Sequence, residues 1–277
     1  MSNWRRFARN RLAVAGLVVF LLLVLSALLA PRVSPYDPNL QDWKVRLQPP
    51  SAAHPFGTDE FGRDLLSRTL YGGRVSLVAG VVPVLLGATA GTLVGLVAGY
   101  MGGRWDQILM RFLDILLAFP MIFLALAIVG TLGPGLFNAM LAVAVVSLPG
   151  YARLVRGQVL TLRERDYVVA AQAAGATHAR VLLRHLLPNI VSPLLVQATL
   201  SVGSAILTTA SLSFLGLGTQ PPTSDWGEML ASGRQYLPDA WWLELFPGLF
   251  VMLAVLSVNL LGDGLRDYFD PKTKNER

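Results

Sequence analysis

The residues able to do chemistry in this chain are few, and their types exclude more than they promise. There are three histidines, His54, His178 and His185, and no cysteine in 277 residues. No pair of histidines has the spacing of a zinc site, and without a thiol there is neither a disulfide nor a thiolate nucleophile. The phosphate-cradling pattern GxxxxGKS/T, the nucleophile elbow GxSxG and the zinc-protease pattern HExxH do not occur. Carboxylates are nearly missing from the centres of the apolar runs, so there is no pair for general acid–base work and no evident proton relay. What remains is milder. Gln197, Ser201, Ser204 and Thr208 lie in one apolar segment, and Ser201, Ser204 and Thr208 share a helix face by their i, i+3, i+7 spacing. Such hydroxyls can line a path for a polar solute, or simply bond the carbonyl one turn back. Both readings stay open here.

The elements that hold these residues are apolar and long. Hydrophobic residues make up 53% of the chain and charged ones only 14%, against about 25% in an ordinary soluble domain. Uncharged runs of about 20 residues suit helices crossing a hydrocarbon core about 30 Å thick. A membrane β-barrel would instead alternate in polarity over short segments. The expected fold is therefore all-α and polytopic, with six transmembrane helices near 12–30, 75–100, 112–132, 136–155, 190–215 and 241–262. The first run exceeds a usual signal core and has no Ala-x-Ala site ending at Ala30, so it is expected to stay as a span. The net charge of +6 needs no nucleic acid to explain it, because the basic residues flank the membrane. Arg5, Arg6, Arg9 and Arg11 precede the first span, Arg153, Arg156, Arg163, Arg165, Arg180 and Arg184 flank the large insert, and Arg266, Lys272, Lys274 and Arg277 follow the last span. Such excess marks the cytoplasmic side and predicts an N-in, C-in topology.

Within this frame the chain divides into a basic cytoplasmic N-terminus, 1–11, the first helix, 12–30, and an extracytoplasmic region, 31–74. A five-helix core, 75–262, and a cytoplasmic tail, 263–277, complete it. Gly87, Gly91, Gly95 and Gly99 recur every fourth residue and predict a close helix–helix approach, inside this chain in preference to a dimer face. Asp114 is expected to pair with Arg111, three residues earlier. In the outer region, His54-Pro55-Phe56-Gly57 suits a turn. Thr58 or Asp59 suits the cap of a short interfacial helix with Leu65, Leu66 and Leu70 on one side and Arg63 and Arg68 outward.

The insert between the fourth and fifth spans is the least expected part of a membrane chain. After Asp166 it is rich in alanine, the strongest helix former, at Ala170, Ala171, Ala173 and Ala174. Gly175 suits a left-handed helix end, and Thr177 suits the cap of a second helix. That helix sets Val181, Leu182, Leu183, Leu186 and Leu187 on one side and Arg180 and Arg184 on the other, and Pro188 is expected to break it before the fifth span. An amphipathic hairpin on lipid headgroups would share the length and the basicity, but the alanine-rich half has little bulk for lipid.

These residues carry a resemblance. Ala170-Ala171, Gly175 and Pro188 are spaced as in the Glu-Ala-Ala loop of ABC importer permeases, and RHLLPN at Arg184–Asn189 resembles the oligopeptide, dipeptide and nickel branch. HPFGTDEFGRDLLSRTLYGGRVSL, His54 to Leu77, is similar to the segment before the second span in one of that branch's two permease types. The resemblance implies a type I ABC importer permease fold and a prokaryotic inner (cytoplasmic) membrane location. It implies import of peptides or similar small solutes, with no catalytic residue and no cofactor on this chain. It also implies a second homologous permease as heterodimer partner, two ABC ATPase subunits holding ATP and Mg²⁺, an extracytoplasmic solute-binding protein and membrane lipid. The loop 156–189 would couple to the ATPases through Val169, Ala170, Ala171, Gly175, Arg180, Arg184 and Pro188. Where this chain has Val169 the family loop has Glu, so docking here would rest on shape more than on charge. The rival expectation is a stand-alone ion-coupled secondary transporter, disfavoured by the missing membrane carboxylate and the size of the insert. An intramembrane enzyme would need a convergent catalytic set, and none is present.

Overall fold

The computed structural model describes residues 10–269. Residues 1–9 and 270–277, which hold most of the basic N-terminus and half of the tail, lie outside the described residues. Within them no strand occurs, and the one β-bridge joins Thr58 to Asp64. The helices are α1 Arg11–Val33, α2 Leu65–Met101, α3 Gly103–Leu117, α4 Met121–Leu132, α5 Leu136–Leu162, α6 Asp166–Ala173, α7 His178–Phe214, α8 Trp226–Gly233 and α9 Trp242–Phe269. Five of them, α1, α2, α5, α7 and α9, are long and apolar enough to cross a bilayer. A sixth crossing exists if α3 and α4, which meet at 92°, are taken together. The chain is a helical, multi-pass membrane protein.

Several expected boundaries differ from the structure: the fourth span continues past 155 to Leu162, the sixth past 262 to Phe269 into the expected tail, and three others differ for local reasons. The sequence predicts a second span from 75 with a separate interfacial helix before it, whereas α2 runs unbroken from Leu65. Asp64 sets that start: its carboxylate accepts from Ser67 N at 2.8 Å and from Ser67 Oγ at 2.7 Å, the bond of a strong N-cap. The sequence predicts one helix over 112–132 for the third span, but the chain turns sharply at Ala118–Pro120, ahead of α4. Proline at 120 cannot donate to the turn before it. The fifth span was expected to start near 190 after a stop at Pro188, whereas α7 is continuous from His178. A π-helical stretch over Val181–Leu186 widens the turn ahead of the proline, and the Asn189 side chain donates to His185 O at 2.7 Å. A wider turn and a side-chain donor accommodate a residue that would otherwise break a helix.

The core forms along α2. Its glycine stripe faces α5 as the spacing predicts: a Cβ at Gly91 would stand 2.6 Å from Tyr151 Cβ, and one at Gly95 would stand 2.5 Å from the Ala152 carbonyl. Only residues without side chains let these two helices meet so closely. α9 lies against α1 and α7, and α7 against α2. One end of the bundle carries α6 (the α6 end) and the other carries α8 (the α8 end).

Candidate functional site

At the α6 end, α6 stands nearly clear of the bundle. Only Val168 is buried; it is fully enclosed and packs with Leu96, Val155, Val159, Val181, Leu186 and Ile190. Tyr167, Val169, Ala170, Ala173 and Ala174 are exposed, and Ala171 is half-buried. Gly175 has φ +82, the left-handed end expected of it, and the Thr177 hydroxyl accepts from Arg180 N at 3.3 Å to cap α7. Arg180 and Arg184 are exposed, and Pro188 lies within α7. Of the expected apolar side, Val181 and Leu186 are buried, whereas Leu183 is exposed. An open groove beside α6 is lined by Tyr100, Met101, Arg163, Glu164, Val169, Gln172 and His178. Across it, Gln172 Nε2 donates to Tyr100 Oη at 3.3 Å, and Tyr100 Oη lies 2.9 Å from His178 Nδ1. These three side chains tie α6 to the last turn of α2 and the first turn of α7. Sequence spacing could not show that, because Tyr100 and His178 are 78 residues apart.

Midway along the bundle, Gln197, Ser201, Ser204 and Thr208 come together as expected. All four line an open-sided cavity of about 280 Å³, whose wall also includes Leu117, Met121, Val143, Ser147 and Tyr151. The two readings of these hydroxyls turn out to be compatible. Thr208 Oγ1 donates to Ser204 O at 2.8 Å, and Gln197 Nε2 donates to Ser201 Oγ at 3.4 Å, and both residues still line the cavity. The Tyr151 side chain is 1% exposed, and its buried hydroxyl sits beside the Ser201 side chain. Sequence reading missed it; the only signal was a tyrosine following Pro149-Gly150 inside an apolar span. No side chain lining this cavity carries a charge.

At the α8 end, Arg63 and Arg68 do not point outward. They are 4% and 1% exposed and form the centre of an ionic clasp. Arg63 Nε donates to Asp59 Oδ2 at 2.6 Å, and its Nη2 lies 3.5 Å from Glu60. Arg68 lies 3.5 Å from the same Asp59 oxygen and 3.3 Å from Glu228 Oε2 on α8, and it also donates to the carbonyl of Pro38 at 3.2 Å. The loop folds back because Asp59 accepts from the backbone amides of Phe61 and Arg63, both at 2.9 Å. His54 Nδ1 lies 2.9 Å from Asp64 Oδ1. Burial holds the Glu60 and Glu228 carboxyls above the ordinary carboxylate range, although Arg63 and Arg68 pull the other way. Trp226 and Trp242 close the clasp, donating to Thr69 O at 2.9 Å and Thr58 O at 3.1 Å. Asp114 pairs with Arg153 at 2.5 Å, not with Arg111.

Among the described residues no group of three or more His, Cys, Asp or Glu side chains is placed to hold a metal. The described residues combine an uncharged polar cavity with a protruding helix at one end and an ion-paired loop at the other. Residues 91–275 match the family described as binding-protein-dependent transport system inner membrane component. Residues 2–50 match the N-terminal TM domain of oligopeptide transport permease C. The chain is 52% identical over 278 residues to a di/tripeptide transport system permease protein of Pseudomonas aeruginosa, covering 98% of this chain and 92% of that one. It is 47% identical over 272 residues to a glutathione transport system permease protein of Escherichia coli, covering 98% and 90%. Among solved structures, an inward-facing form of the MetNI methionine ABC transporter superposes with a TM-score of 0.58 at 21% identity, covering 73% of this chain and 96% of that one. At that identity the likeness concerns the fold alone.

Proposed function

The chain belongs to the family of binding-protein-dependent transport system inner membrane components, and we propose that it is one permease of an ATP-driven importer of di- or oligopeptides. In this reading it pairs with a second, homologous permease. Two cytoplasmic ABC ATPases, which hold ATP and Mg²⁺, sit under the α6 end, and an extracytoplasmic binding protein delivers solute at the α8 end. The membrane is the prokaryotic inner membrane, with both termini inside. Peptide as the substrate class is supported by the names of the relatives and by the cavity, whose hydroxyls, amide and phenol suit a peptide backbone without selecting any charged side chain.

The observation that carries the coupling role is the state of α6, exposed on one side and joined to the bundle by the buried Val168 and by the Gln172–Tyr100–His178 bridge. A push on α6 reaches the inner ends of α2 and α7 through these contacts, and α7 lines the cavity. Turning such a permease from 99% inward-facing to 99% outward-facing takes about 5.5 kcal/mol of differential energy, within reach of ATP binding and the loaded binding protein together. Ala170→Glu, on the exposed side of α6, tests this in the reconstituted assembly. Uptake and substrate-stimulated ATP hydrolysis are expected to fall while the second permease still co-purifies. Unchanged coupling with unchanged ATPase attachment overturns the role.

A further inference from the structure

The helix α3 carries a face that nothing in the bundle covers. Trp105, Ile108, Phe112 and Ile115 are each more than half exposed, and their spacing of three, four and three places them in one stripe. The opposite side of the helix is pinned to α5: Asp106 accepts two bonds from Arg156, at 2.5 and 2.7 Å, and Asp114 accepts one from Arg153 at 2.5 Å. Arg104 and Arg111, seven residues apart, flank the stripe; both are exposed, and neither has a carboxylate partner among the described residues. At the other end α3 meets α4 at 92°.

We propose that α3 lies in the plane of the membrane, in the leaflet at the α6 end. Its stripe is sunk among acyl chains, and Arg104 and Arg111 hold an anionic phospholipid headgroup. Three observations favour lipid over a protein partner. The stripe consists of bulky residues, unlike the close-packed pair of α2 and α5, which meet at Gly91 and Gly95. The flanking cations complement an anionic headgroup, and the tryptophan has the amphipathic ring suited to the membrane–water boundary. Depth also agrees. α4 has 12 residues, about 18 Å of helix, too short alone for a core of about 30 Å. A preceding helix sunk about 5–10 Å below the boundary leaves a distance that α4 and its closing turn can cover.

The chain has no cysteine, so single-cysteine variants Ile108→Cys and Ile115→Cys can carry nitroxide or bimane labels in the assembled transporter in lipid nanodiscs. These positions are seven residues apart, about 10 Å along a helix. An in-plane helix puts both labels at one shallow depth, both reachable by oxygen. Bimane at 108 is quenched more by doxyl-labelled phosphatidylglycerol than by doxyl-labelled phosphatidylcholine, and R104Q with R111Q abolishes the difference. A depth difference of about 10 Å, the rise of seven helical residues, overturns the proposal in favour of a spanning helix. Labels closed to oxygen overturn it in favour of a protein partner. Equal quenching by the two lipids in the unmutated flank overturns the headgroup site.

Discussion

Arg68 is 1% exposed and stands between Asp59 and Glu228, so it neutralises two carboxylates that would otherwise repel each other inside the protein. Arg68→Met keeps most of the side-chain volume and removes the charge. Breaking one partner of a buried ionic network costs about 3–5 kcal/mol, so a large fall in the thermal midpoint of the purified assembly is expected. The same cluster makes stability depend on pH. Burial raises the Glu60 and Glu228 carboxyls above the usual 4.5, so the folded form keeps protons that the unfolded chain has already released. Their contribution is complete below 4.5 and is lost as pH rises through the raised values. Melting of the α8-end clasp should therefore shift to lower temperature across that window, and Glu228→Gln should flatten the dependence, measured by tryptophan fluorescence. At this scale the sequence is legible where the partner is local, as with the Thr177 cap and the Gly175 turn. It is silent where the partner is distant: Arg68 and Glu228 are 160 residues apart, and nothing in the spacing of Arg63 and Arg68 says which way they face.

Among the elements, the closest helix pair rests on α2 glycines set against α5. Gly91→Val would drive a branched side chain into Tyr151 and the Leu148 carbonyl. Overpacking of this kind costs about 1–3 kcal/mol, and the expected result is reduced thermal stability and lower yield of assembled transporter. The wall of the cavity offers a different test. Ser204→Phe, on α7, fills space beside Thr208 and Ser201 without touching α6. Uptake should drop sharply while the partner subunits remain attached, as a pull-down and a flux assay on one preparation would show. The glycine repeat and the polar stripe could be read from periodicity because each reflects one regular helix. The bend between α3 and α4 and the continuous α7 could not. Both depend on how chain geometry absorbs a proline, at Pro120 by turning the backbone and at Pro188 by a π-helical turn, and hydropathy is the same for either outcome.

For the whole molecule, the fold class and the family were visible in residue order, because long apolar runs, basic flanks and two extended motifs are all local signals. The arrangement that gives the motifs meaning was not: a clasp at one end, a half-free helix at the other and an uncharged cavity between them. This arrangement predicts a machine that carries no energy source within its own spans and takes its driving force through α6. The most direct test measures peptide uptake into proteoliposomes under two conditions. In one, the assembly with its ATPases and binding protein is supplied with ATP inside the vesicle compartment that the ATPases face. In the other, this chain alone is given a proton or sodium gradient. The account predicts accumulation only in the first, abolished by Ala170→Glu. Accumulation by the chain alone on an ion gradient would contradict it.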